Sequence, residues 1–357
     1  LWLAAVFLLR VAAVAAQQTP APSVPSKDAA PAMEFSDQPH FSVAGVTDWT
    51  AAGGHGSDTT LRTSESLANA TGSLKPDTSS APENPKAARH RMAAEADEKR
   101  GDALLAVEEF EKAATIDPSE QNEFEWASDL LLHRAISQAE TVFRKGAGAY
   151  PKSLRMQAGL GAALFAGARY EDAAAQMCKA SDLDPTDPNP YLMIGKIAVA
   201  APNPLDCVEP KLARFVQLHP ESPTANYLYA MALLKAHPAE AQRLDVAKKS
   251  LDKAITVDPK CSGAYLELGI LAAAQQDNRS AIHLYKAAID ADPESADAHY
   301  RLGVAYDRTG DHANAEREFI LHKQIEQKQA AETEAQRKAV KQFLFATPND
   351  RSSASAK

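Results

Sequence analysis

Six prolines punctuate this 357-residue chain at near-constant intervals, and that spacing constrains the fold more than any other feature. Pro118, Pro151, Pro185, Pro220, Pro259 and Pro293 close the similar endings ATIDP, GAYP, SDLDP, VQLHP, ITVDP and IDADP, at intervals of 33, 34, 35, 39 and 34 residues. Between the stops the sequence is alanine-rich and reads as helix. A helix, a turn, a second helix and a proline stop fill such a period.

The spacing inside each unit agrees. In ADAHYRLGVAYDRTGDHANAEREFILH, Leu302, Gly303 and Tyr306 share one face of a first helix, Gly310-Asp311 makes the turn, and Ala315 and Phe319 face inward from a second. The same places hold Leu268, Gly269, Ala272, Asp277, Ala281, Tyr285, Ala288 and Pro293 in one unit, and Leu160, Gly161, Leu164, Ala173, Met177, Ala180 and Pro185 in another. Small residues stand where helices approach closely and large ones fill the space beside them.

This pattern resembles the tetratricopeptide repeat, with its leucine-glycine pair, tyrosine-like position, alanines, aromatic and proline. The resemblance covers about residues 87–325 in seven units. One unit keeps Gly101, Asp102, Ala106, Phe110, Ala113 and Pro118. Another has Trp126-Ala127 in place of Leu-Gly while keeping Ala139, Phe143 and Pro151. Two units depart further, through APNPLDC and through extra residues near KAHPAEAQRLD, and both turns are expected to bulge. The resemblance implies an all-α, right-handed superhelical solenoid of about seven antiparallel helix pairs. The charged segment 326–345 suits a C-terminal capping helix, followed by a tail at 346–357 expected to be disordered.

The remainder has a different grammar. LWLAAVFLLRVAAVAA at 1–16 has the apolar run and small-x-small ending of an export signal, truncated at its start. An uncleaved amphipathic anchor is the second reading, since Arg10 and the short run argue against a permanent membrane span. Residues 17–86 are rich in Pro, Ser, Thr, Ala and Gly and read as low-complexity, extended chain. Within them, 41–74 concentrates Phe41, Val43, Val46, Trp49 and Leu61, a candidate docking motif.

From the family resemblance follows binding of a protein or peptide segment in a groove lined by first helices. Its register nominates Phe124, Leu131, Arg155, Phe165, Leu192, Lys196, Tyr227, Met231, Leu266, Ile270, Tyr300 and Arg308, a surface more apolar and aromatic than charged. Two readings stand beside each other: a groove open to an apolar or amphipathic partner, or side chains packed against their neighbours or the protein's own N-terminal segment. The lysine-asparagine clamp with which some members hold a terminal carboxylate is missing from the sequence.

Chemistry is sparse. No GxxxxGK[ST], HExxH, GxSxG or CxxC occurs, so no cofactor, metal or catalytic role is assigned. The formal charge of −9 gives no support to a nucleic-acid surface, and no permanent membrane partner is expected. Cys178, Cys207 and Cys261 are an odd, widely spaced set, expected as small buried side chains with at most one pair formed. His133, His283 and His299 read as packing or surface residues, and His322 and Glu326 are placed to touch on a helix. Asn69-Ala70-Thr71 and Asn278-Arg279-Ser280 match glycosylation sequons.

GGHGSD at 53–58 is where an enzyme could hide. A serine, a base and an orienting acid one to three residues apart in a glycine-rich loop rarely converge on one atom. His55 and Asp58 therefore join Val46, Trp49 and Leu61 in the docking motif, with Asp58 or Thr59 capping the helix that follows. An envelope enzyme or small-molecule binding protein using this loop, and an assembly protein with a self-occluded groove, are the alternatives to a protein-binding scaffold.

Overall fold

The computed structural model describes residues 84–346, which form fourteen α-helices. In order they are α1 (Pro85–Arg100), α2 (Ala103–Ile116), α3 (Glu120–Leu132), α4 (Ile136–Ala149), α5 (Leu154–Ala166), α6 (Tyr170–Leu183) and α7 (Pro188–Ala200). There follow α8 (Val208–Leu218), α9 (Pro223–Ala236), α10 (Ala241–Val257), α11 (Ser262–Ala274), α12 (Asn278–Ala291), α13 (Ala296–Arg308) and α14 (His312–Ala346). Each odd helix packs on the even helix after it, giving seven pairs that stack into an all-α helical-repeat solenoid.

The proline period works through the residue before it. Crowding by the pyrrolidine ring disfavours helical geometry at that position, and Asp117, Asp184, Asp258 and Asp292 are all extended, with φ from −142° to −129°. Each second helix therefore ends at the same place in its unit. The next first helix then starts on a side-chain cap: Ser119, Ser153, Asp187, Ser222 and Ser295 each accept a hydrogen bond from a backbone N–H of the first turn. Within pairs the chain reverses through a left-handed residue, Gly101, Arg134, Ala168, Gln276 or Gly310.

The two pairs without a left-handed residue are the irregular ones. The α7–α8 link spans seven residues and carries APNPLDC. In the unit around KAHPAEAQRLD, most of the extra length enters the helix instead of bulging: α10 has 17 residues against 14 in α4, α6 and α12. Its Ala-Gln-Arg-Leu start is good helix-forming sequence, so it extends the first turns. At the other end α14 continues without interruption for 35 residues, far past its partner α13, and it also touches α2.

Helices approach closely where one lacks a side chain. Gly161 of α5 faces Met177 of α6, Gly269 of α11 faces the Tyr285 ring of α12, and Gly303 of α13 faces Phe319 of α14. Gly195 departs from this scheme. It receives Leu228 of α9, the next first helix, so the irregular α7–α8 unit leans on its neighbour. The resulting core is continuous from Val107 to Leu268, and a second cluster around Tyr285 and Leu302 completes the last two pairs.

Cys178 of α6 and Cys207, just before α8, form a disulfide, while Cys261 is free and buried. The set thus forms the one pair it allowed, and of the three expected buried side chains Cys207 is only half-buried. The α7–α8 reversal brings Cys207 back against α6, with the two Cα atoms 6.4 Å apart.

A pair of glycine substitutions tests the packing scheme. A Cβ at Gly269 would sit 2.5 Å from the Tyr285 ring, so Gly269→Ala should lose about 1–3 kcal/mol to overpacking, less about 1 kcal/mol gained in helix propensity. Gly148 of α4 has nothing within 4 Å of that position, and Gly148→Ala should gain up to about 1 kcal/mol. Urea unfolding midpoints should move in opposite directions.

Candidate functional site

The first helices adjoin one another in the stack: α3 touches α5, α5 touches α7, α7 touches α9, and α11 touches α13. The twelve sequence-nominated positions all lie on these helices. They divide into two sets.

Six are buried. Phe124 sits between the Phe143 ring, 5.8 Å away centroid to centroid, and the guanidinium of Arg155, 4.7 Å above its face. Arg155 is no free cation: its Nε donates to Glu120 Oε1 at 2.7 Å, its second nitrogen pairs with Oε2, and Ser153 Oγ donates to the same carboxylate. Such a buried pair is held by its geometry, and removing either partner strands the other charge. Leu131, Tyr227, Met231 and Leu266 are also buried. The Tyr227 ring covers Gly263 of the next first helix, and burial raises its phenol well above the ordinary range. For these positions the neighbour-packed reading describes where the side chains are.

The other six are open in part. Phe165, Leu192, Lys196 and Ile270 are half-buried, and Tyr300, 40% exposed, and Arg308 are exposed. Phe165 leans on Tyr170 at 6.0 Å, and Tyr300 lies near Phe319 and His322 at 5.9 and 5.3 Å. Leu192 and Lys196, four residues apart, occupy one face of α7. Burial lowers the Lys196 pKa. The open surface is therefore apolar and aromatic with a partly desolvated cation among it.

Two buried carboxyls were not legible beforehand. Glu267 of α11 is enclosed, and loss of water pushes its pKa up to about 7, opposed by Arg301 and reinforced by Asp297, both on α13. Asp129 of α3 is 5% exposed and is also raised to about 7, by burial first and then by the charge of Glu98. His133, read from sequence as a packing or surface residue, faces both: its Nε2 is 2.6 Å from Glu98 Oε1 and 3.7 Å from Asp129 Oδ1. One ligand atom from each of Glu98, Asp129 and His133 can be chosen so that all lie within 4.8 Å of one another. The signal was missed because Glu98 and His133 are 35 residues apart, one repeat unit.

His299 is buried, with Nδ1 2.6 Å from Glu318 Oε2 and Nε2 donating to the Pro293 carbonyl at 3.2 Å, whereas His283 is exposed. His322 does meet Glu326, at 3.3 Å. Val46, Trp49, His55, Asp58 and Leu61, with the rest of 41–74 and the 1–16 run, lie outside the described residues. No helix among the described residues is long and apolar enough to cross a membrane.

Residues 124–188 and 266–321 match the family model described as tetratricopeptide repeat. No curated protein matches the chain. Among solved structures, a tetratricopeptide repeat protein from Parabacteroides merdae ATCC 43184 is 11% identical with a TM-score of 0.54, covering 72% of this chain and 99% of that one. YrrB, described as a TPR protein with an unusual peptide-binding site, is 21% identical with a TM-score of 0.43, covering 53% and 95%. Yeast Tom70 is 18% identical with a TM-score of 0.43, covering 80% and 71%. The Parabacteroides likeness concerns the fold.

Glu267 generates a pH prediction. The folded chain holds its proton to about pH 7, while an unfolded glutamate releases it near 4.5. The folded state then binds more protons between these values, so stability falls as pH rises through the window. The full effect is on the order of 3 kcal/mol. Glu267→Gln should flatten the urea midpoint against pH between 5 and 8 relative to the parent chain, and should be the more stable of the two at pH 8.

Proposed function

With the chain a tetratricopeptide-repeat protein, we propose that it is a non-catalytic scaffold that holds an apolar or amphipathic protein segment along its first helices. The observation that carries this reading is the recurrence of half-open or exposed apolar side chains on four first helices: Phe165 on α5, Leu192 on α7, Ile270 on α11 and Tyr300 on α13. On α9, which falls between α7 and α11 in chain order, Tyr227 and Met231 are buried. Apolar anchors spaced along a rigid surface supply most of the affinity for a bound segment.

We place the protein in an exported, oxidising compartment. The Cys178–Cys207 disulfide supports this, because such bonds persist outside the reducing cytosol, and so does the signal-like run at 1–16. The tie closes a 29-residue separation, worth about 3–4 kcal/mol by loop entropy.

Two measurements test these readings. Peptides selected from a random library against the full chain should bind with affinity that drops at least about tenfold in Phe165→Glu/Ile270→Glu, about 1.4 kcal/mol or more. Leu105→Glu, at an exposed position on second helix α2, should leave binding unchanged. Undiminished binding by a folded double variant would remove the groove reading. For export, protein taken from its native cells and denatured in alkylating reagent should label once, at Cys261, and three times only after reduction. Three labels without reduction would overturn it.

A further inference from the structure

We propose that Glu98, Asp129 and His133 form a binding site for a divalent transition-metal ion, Zn²⁺ in the first instance, that ties the first helix pair to the second. Helix α1 supplies Glu98 from its last turn, α3 supplies Asp129, and His133 is the cap residue that ends α3. The fold thus converges two carboxylates and an imidazole from adjacent units on one point. Their ligand atoms lie within 4.8 Å of one another, so small side-chain shifts bring them to the about 3–4 Å that two donors of one metal keep at ligand bonds of about 2.0–2.2 Å. The 2.6 Å contact between His133 Nε2 and Glu98 Oε1 opens slightly as the ion enters.

An independent observation comes from Asp129. Its side chain is 4% exposed, and its Oδ2 is buried with no hydrogen-bond partner. A carboxylate oxygen enclosed in this way without a donor is costly to keep ionised. A cation is the partner that meets this cost. Glu98 and His133 remain 27% and 20% exposed at their side chains, so the cluster is open on one side for the ion to enter and for water to complete its coordination. Ligation displaces any proton held on the carboxyls or the imidazole; the set then carries a charge of −2 and balances a dication, and mixed nitrogen and oxygen donors favour Zn²⁺ over the all-oxygen sites of Ca²⁺ or Mg²⁺.

The position gives the site its structural effect. In a repeat stack a terminal unit has one neighbour where interior units have two, and α1–α2 is the terminal pair among the described residues. A metal joining α1 to α3 would supply a link that the interior pairs obtain from packing.

The test uses the full chain, stripped by chelator, with Zn²⁺ alone as titrant and Co²⁺ as a spectroscopic probe. Calorimetry should show an equivalent of Zn²⁺ that Asp129→Asn, His133→Gln and Glu98→Gln each weaken by at least about 100-fold, beyond the about 10–100-fold typical of supporting residues. His322→Gln should leave that equivalent in place. Co²⁺ should give visible absorption lost in the same three variants, and Zn²⁺ should slow amide exchange in α1. Glu98→Gln, at a half-buried position, keeps the test valid if a change at Asp129 impairs folding, as checked by circular dichroism. No Zn²⁺ uptake at micromolar concentration, or uptake unchanged in folded Glu98→Gln and His133→Gln, would show that the cluster is an ion pair and overturn the proposal.

Discussion

Close approach of one helix to the bare backbone of another holds each regular pair together. Tyr285 reaches Gly269, Phe319 reaches Gly303 and Met177 reaches Gly161 because the facing position carries no Cβ. A large side chain laid on a neighbouring helix buries its own apolar surface and that of the backbone it covers. The gap closes without a void, and the helices stay near enough for the alanines on either side to pack as well. The caps and extended pre-proline residues then fix where each helix begins and ends, so the same contact recurs in the next unit.

Where that contact changes partner, the architecture changes with it. Gly195 receives Leu228 from the following unit, and α8 is the shortest helix among the described residues at 11 residues. The disulfide falls at this same place. Packing that is weaker within the pair is supplemented by contact with the next unit and by a covalent link. Glu120 enters the stack with its partners, held between Ser153 and Arg155.

The repeat was legible in the sequence because its signals are local. Proline after an extended aspartate, a serine or aspartate cap one or two residues on in most units, and a leucine-glycine pair all fall within one unit and respond to sterics within one unit. The contacts that give the molecule its particular character join different units. Glu120 meets Arg155 and Glu98 meets His133 across 35 residues in each case, and no short motif records such a pairing. The cysteines show the same limit: an odd, scattered set suggests no bond until α8 is seen to return beside α6. Among groove candidates, register placed all twelve on first helices. It did not distinguish Phe165, which stays partly open, from Phe124, which an arginine and a phenylalanine enclose.

The disulfide also divides the chain as a mechanical object. Pulled from its ends, a repeat stack lengthens by releasing helix pairs in turn, and each residue freed adds about 3.3–3.6 Å. The span between Cys178 and Cys207, a separation of 29 residues, cannot be released while the bond holds. About 100 Å of contour stays in reserve. While the bond holds, the stack thus yields less far under load than its repeat count alone implies, with a stop that reaches from α6 to the irregular link before α8.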